Sequence, residues 1–194
     1  MNLIDLAETG LIPDVIVRTG IRRLLASRLQ DSSGSGPADD GERVREFAES
    51  LRHSPLAVAT DEANQQHYEV PAEFYERVLG PRLKYSSCYF KSAQTSLADA
   101  EIHMLRQTCE RAGIGASMRI LELGCGWGSL TLWVASEYPD SEIVAVSNSS
   151  SQREFIEDRA RKQGLSNIQV ITADMRGFSI NEKFDRVVSI EMFE

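Results

Sequence analysis

A strand that stops in three glycines at alternate positions and opens directly into an apolar helix leaves a chain few folds to choose from. This pattern stands at residues 119–130, RILELGCGWGSL. Ile120, Leu121 and Leu123 read as a buried strand, and Gly124, Gly126 and Gly128 as a tight turn. Leu130, Leu132, Trp133 and Val134 read as the apolar residues of the helix that follows. Glycines let the backbone take positive φ and approach a ligand closely, and the helix start offers free N–H donors. The spacing narrows the ligand. A dinucleotide fingerprint wants a further glycine where Ser129 stands, and no lysine follows to cradle a pyrophosphate. What fits is a small, positively charged nucleoside such as S-adenosylmethionine, with Glu122 near its ammonium end.

The pattern then repeats in type. Strands are predicted at 118–123, 142–147, 168–172 and 184–190, with helical segments between the first three and a loop over 173–183. Alternation of this kind means an α/β fold, a doubly wound parallel sheet with right-handed crossovers. Glu194 follows directly on FDRVVSIEMFE. The expected sheet is therefore incomplete: nothing after the fourth strand covers it or pairs with its outer edge.

Charge and composition exclude several classes. A formal charge of −8 and a pI near 5.0 argue against binding nucleic acid through a basic surface. Cys88, Cys109 and Cys125 are widely spaced and odd in number, which suits neither a disulfide framework nor a zinc site and points to a reducing compartment. No apolar run approaches the ~18 residues of a membrane span. The N-terminus carries acids where a secretory signal carries bases, so the expected location is cytoplasmic.

Four regions are expected. Residues 1–30 form a helical segment with Val17, Ile21, Leu24, Leu25 and Leu29 in one apolar stripe, and Arg18, Arg22, Arg23 and Arg28 on the other side. A membrane-surface helix is one reading. Asp5, Glu8 and Asp14 nearly balance the arginines, which favours a helix packed on its own protein. Residues 31–40, DSSGSGPADD, read as a flexible linker. Residues 41–117 form a helical cap and cofactor-covering segment, including a helix over 42–51 and another from Ser96 to Gly113 with a capping serine and a closing glycine. Residues 118–194 form the N-terminal part of the nucleotide-binding domain. The same start and stop signals, Ser151 with Glu154 and then Gly164, bracket the helix after the second strand.

Three ordered motifs, HYEVPAEFYERVLGPRLKYSSCYF, LELGCGWGSL and VSIEMFE, together with the N-terminal NLIDLAETGLIPD, give the chain a specific likeness. It resembles the cyclopropane fatty-acid synthase superfamily of S-adenosylmethionine-dependent methyltransferases, and within it the branch that contains coclaurine N-methyltransferase. The resemblance covers essentially the whole chain and implies a Rossmann-like class I methyltransferase sheet with an N-terminal helical extension.

It also implies roles. Tyr85 and Ser86 match the pair that reaches the cofactor from the N-terminal side, and Gly124, Gly126 and Gly128 match the cofactor loop. Asn148 and Gln152 match the ribose-contacting region. Asp174 matches the acid beside the adenine amino group, with Met175 next to it, and Ile190 matches a backbone contact. Glu191 and Glu194 match the two acids of the catalytic segment. Each role is chemically sound. A serine hydroxyl bonds a carboxylate, an amide serves a ribose hydroxyl in both directions, and a carboxylate accepts from an amino group. An amide at the ribose position, where many dehydrogenases place an acid, also counts against NAD. His67 is as readily a capping or core histidine as a contact.

The chemistry divides on one position. An amine must be neutral to attack the sulfonium methyl and becomes cationic as it does so, and a carboxylate beside it takes the proton and stabilises the charge. Related cyclopropane synthases hold a bicarbonate base with a cysteine directly after the tyrosine–serine pair; Ser87 stands there, and Cys88 follows. This favours N-methylation of a small amine over methylene transfer to an unsaturated lipid. The family's histidine after the second acid would lie past Glu194, so a non-catalytic product, alone or as a homo-oligomer, is the third expectation.

Overall fold

The structure, a computed structural model, describes residues 12–32, 37–54 and 70–192. The chain divides into two units, Met1–Leu56 and Ala57–Glu194.

The first unit holds helices α1 (Asp14–Ser32) and α2 (Pro37–His53). The stretch read as a linker over 31–40 is shorter than its composition predicts, since α1 runs through Ser32 and α2 begins at Pro37. Proline suits a first helical turn, where its fixed φ is already helical and its missing N–H is not needed. Ile21, Leu24, Leu25 and Leu29 stay at least half exposed, so the apolar stripe of α1 is not covered within this unit. No helix among the described residues is long and apolar enough to cross a membrane.

Among its described residues, the second unit begins with α3 (Ala72–Val78) and α4 (Leu97–Ala112). Then come β1 (Arg119–Leu123), α5 (Ser129–Glu137), β2 (Glu142–Ser147), α6 (Ser150–Lys162), β3 (Ile168–Thr172) and β4 (Arg186–Ser189). The strands are parallel and lie in the order β3-β2-β1-β4, a Rossmann-like arrangement in which the chain reverses direction across β1. Leu121 stands opposite both Val144 and Val187, which fixes the register on either side of the central strand. A slip by one residue would turn the apolar side chains of a strand to its opposite face.

Local signals explain the helix boundaries. Ser96 Oγ accepts from Asp99 N at 3.1 Å, and Gly113 ends α4 in the left-handed region at φ 61°. The cap of α6 is Ser149, not Ser151: its Oγ accepts from Gln152 N at 3.3 Å. Three serines in a row offer the same capping group, and the strand end selects the first.

The two faces of the sheet are covered unequally. Ile120, Ile143, Ala145, Val170 and Val188 pack against α4, α5 and α6 through Leu105, Trp133, Val134, Ile156 and Ala160. On the other face, Leu121, Val144 and Val146 are covered by the segment between β3 and β4, through Met175, Phe178, Ile180 and Phe184. Val187, also on that face, remains 60% exposed. The fourth strand is shorter than the 184–190 read from sequence, because Phe184 is spent on packing and the chain turns at Ile190.

Candidate active site

Ligands of open α/β sheets bind outside the carboxyl ends of the strands where the strand order reverses, here between β1 and β4. The glycine turn occupies that place. Gly124, Gly126 and Gly128 all have positive φ, at 76°, 52° and 79°. A Cβ on Gly128 would come within 2.6 Å of Ile156, so this glycine lets α5 and α6 approach. A Cβ on Gly126 would meet nothing within 4 Å, which leaves this part of the backbone open to a ligand. Trp127, between them, turns inward and is buried, its ring 5.2 Å from both Tyr75 of α3 and Phe155 of α6. The turn is thus anchored by an aromatic cluster and exposes glycine. Beside it, Ser129 Oγ is buried with no hydrogen-bond partner among the described residues.

Glu122 lies one residue before the end of β1 and is buried. Thr131 Oγ1 donates to its Oε2 at 2.5 Å. Burial pushes its carboxyl up to about 7, opposed by the Thr131 hydrogen bond and by the Lys84 ammonium.

At the end of β2, Asn148 is exposed, whereas Gln152 is buried. The Gln152 side-chain oxygen accepts from Ser147 Oγ at 2.6 Å, so it braces the turn between strand and helix. Past β3, Asp174 is exposed and bonded by Arg176 through Nε, Nη2 and the backbone N, at 2.6–3.1 Å. The guanidinium holds this carboxyl below the usual aspartate range. Met175, half-buried, packs beneath the sheet.

The fourth wall is formed by the end of β4 and the segment before α4. Ile190 packs into the core, and Glu191 takes a left-handed φ of 60°. Ser86 Oγ donates to Glu191 Oε1 at 2.5 Å, and Ser87 Oγ lies 3.2 Å from Ser86 Oγ. Ser87 also has a left-handed φ, 58°. Two non-glycine residues, each in a conformation costing about 1–2 kcal/mol, thus lie on either side of the Ser86 hydroxyl's contacts. Tyr85 is more than half exposed. Glu194 and His67 lie outside the described residues.

Three participants escaped the sequence reading. Glu101 of α4 is fully buried and accepts from the backbone N–H groups of Arg82 and Lys84 at 3.0 Å each. It fixes the chain just before Tyr85 and Ser86. A signal was present: Glu101 shares a helical stripe with buried Leu105 and Cys109, where an acid is out of place. The others are Trp127 and Lys84, the latter buried with its ammonium 3.9 Å from Glu191 Oε1. Cys88, Cys109 and Cys125 are all free thiols.

Residues 57–194 match the family described as mycolic acid cyclopropane synthetase. The chain belongs to this family. Within it, the chain is 41% identical over its full length to an (S)-coclaurine N-methyltransferase of Thalictrum flavum subsp. glaucum, of which it covers 54%. It is 35% identical over 130 residues to the cyclopropane-fatty-acyl-phospholipid synthase of Escherichia coli (strain K12), covering 67% of this chain and 32% of that one. A crystal structure of coclaurine N-methyltransferase bound to N-methylheliamine and SAH superposes with a TM-score of 0.92 at 40% identity. That match covers 99% of this chain and 55% of the other. The chain therefore spans about half the length of these N-methyltransferases, and its fold is that of the S-adenosylmethionine-dependent methyltransferases.

Proposed function

We propose that this chain carries the cofactor site of an S-adenosylmethionine-dependent N-methyltransferase that acts on a small amine. The observation that carries the reading is Glu191, held at the carboxyl end of β4 by Ser86, beside a glycine turn left open at Gly126. Likeness over the full chain to an N-methyltransferase supports the amine over the lipid, to whose synthase only two thirds of the chain aligns.

The residues present fit the cofactor. The open face at Gly126 admits a nucleoside, the orphaned Ser129 hydroxyl offers a polar contact, and Glu122 suits an ammonium group. The adenine end falls to Asp174 and Met175, which requires Asp174 to share its carboxylate with Arg176 or release it. Asn148 serves the ribose, while Gln152 supports it from within through Ser147. Tyr85, Ile190 and the backbone of Gly124 line the methionine end. When bound, the cofactor supplies an electrophilic methyl group on a sulfonium. Glu191 and Glu194 then hold the amine, accept its proton and stabilise the positive charge that grows on nitrogen.

The chain and its Glu194→Gln and Ser87→Ala variants should be offered isotopically labelled cofactor with a panel of amines and with unsaturated phospholipid, with and without bicarbonate. An amine is expected to gain label independently of bicarbonate. Glu194→Gln should reduce the rate by roughly 10²–10⁴-fold, as for loss of a general base, and Ser87→Ala should cost little. Bicarbonate-dependent labelling of the lipid, with no amine methylated, would show that the chain works as a cyclopropane synthase. Calorimetric binding of S-adenosylhomocysteine without labelling of either substrate would support a non-catalytic role.

A further inference from the structure

Lys84 is the only buried lysine or arginine among the described residues. An ammonium out of water requires charged or polar partners, and what surrounds it shows what it serves. Glu191 Oε1 is 3.9 Å from Nζ. Glu122 feels the Lys84 charge from β1, and the Cys88 thiol feels it from its own segment. Glu101 grips the backbone of the same residue, its Oε1 accepting from Lys84 N at 3.0 Å. Lys84 is therefore fixed at its main chain by α4, while its charged end reaches the end of β4.

Two residues of one segment meet the same oxygen of Glu191, Oε1: Ser86 by a hydrogen bond and Lys84 by charge. The carboxylate also sits on a left-handed residue that no glycine relieves. A flexible acid on such a backbone needs external restraint to keep one direction. We propose that Lys84 is a positioning residue, whose buried ammonium aims the Glu191 carboxylate into the site. This rests on the reading of Glu191 as a catalytic carboxylate.

Met192 provides a readout that needs neither turnover nor cofactor. It follows Glu191 directly and packs against Gly124, where an added Cβ would lie 3.0 Å from its sulfur. In the 194-residue chain carrying methyl-¹³C methionine, Lys84→Gln is expected to shift the Met192 resonance in the same direction as Glu191→Gln. Lys84→Arg should leave the resonance near its original position. Met118, partly buried and packed against the core of the sheet's helical face, should stay unmoved and so report that each variant is folded. Adding Lys84→Gln to Glu191→Gln should move Met192 no further. An unmoved Met192 in Lys84→Gln, when Glu191→Gln shifts it, overturns the proposal, as does a full additional shift in the double variant.

Where amine methylation is measured, Lys84→Gln should lower kcat by roughly 10²-fold, the cost of misplacing a reacting group by about 1 Å. The KM for cofactor should be unchanged, and the loss should vanish in the Glu191→Gln background. Weakened binding of S-adenosylhomocysteine with kcat intact would make Lys84 a cofactor contact and overturn the proposal. If the unmodified chain methylates no amine, the functional reading fails, and the resonance comparison still decides the role of Lys84.

Discussion

Ile156 of α6 lies so close to Gly128 that a Cβ there would come within 2.6 Å of it, while two residues earlier Gly126 faces open space. The two glycines should therefore respond differently to the same substitution. Gly128→Ala combines left-handed strain with overpacking and should destabilise the chain by roughly 2–5 kcal/mol. Gly126→Ala carries the strain alone, about 1–2 kcal/mol, but puts a methyl group where a ligand would approach. Denaturant melts should separate the two variants in stability, and calorimetry with S-adenosylhomocysteine should show binding lost in Gly126→Ala. Equal stability losses would contradict the division of roles.

Glu122 makes stability depend on pH. Burial raises its carboxyl from 4.5 to about 7, so the folded chain holds this proton more tightly than the unfolded one. The resulting stabilisation is full below the unfolded value and is lost as pH rises through the folded value, a change on the order of 3 kcal/mol. Glu122→Gln removes this titration. Urea unfolding of both proteins across that window should show the native chain losing ground to the variant as pH rises. A constant difference would mean that Glu122 is ionised throughout.

The Glu101 carboxylate is expected to control the segment before Tyr85. Glu101→Gln turns one of two acceptors into a donor facing a backbone N–H, which should cost roughly 1–3 kcal/mol. Amide exchange at Arg82 and Lys84 should accelerate in this variant more than exchange within β2. If exchange at these two amides did not change, the segment would be held by other contacts.

Much of this site could be read from sequence, and the unread part has a common cause. Strands rich in β-branched residues stand out in a sequence, and β2 and β3 were legible at their observed bounds. Ser96 and Gly113 were legible because capping acts over three or four residues. The three glycines were legible as a group, but their separate tasks depend on Ile156 and on nothing local. Lys84 and Glu101 meet across 17 residues, a separation at which no periodicity operates. The helical start at Pro37 was hidden by surrounding residues typical of linkers.

The outer edge of β4 sets how the chain behaves alone. β4 pairs only with β1 among the described strands, and Val187 is 60% exposed on it. Open edges with apolar side chains invite pairing with another chain. The 194-residue chain should self-associate in analytical ultracentrifugation, and Val187→Lys should shift it towards monomer. A concentration-independent monomer would show the edge to be adequately protected.

The hydrogen bond between Ser86 and Glu191 joins positions 105 residues apart, and the glycine turn lies between them in sequence. A ligand touching all three would act as a clasp on the chain. Its binding energy would oppose opening of the segment before α4 and of the last strand together, although the two share no secondary structure. Occupancy would then be felt as a merging of separate local opening events into one larger cooperative unit.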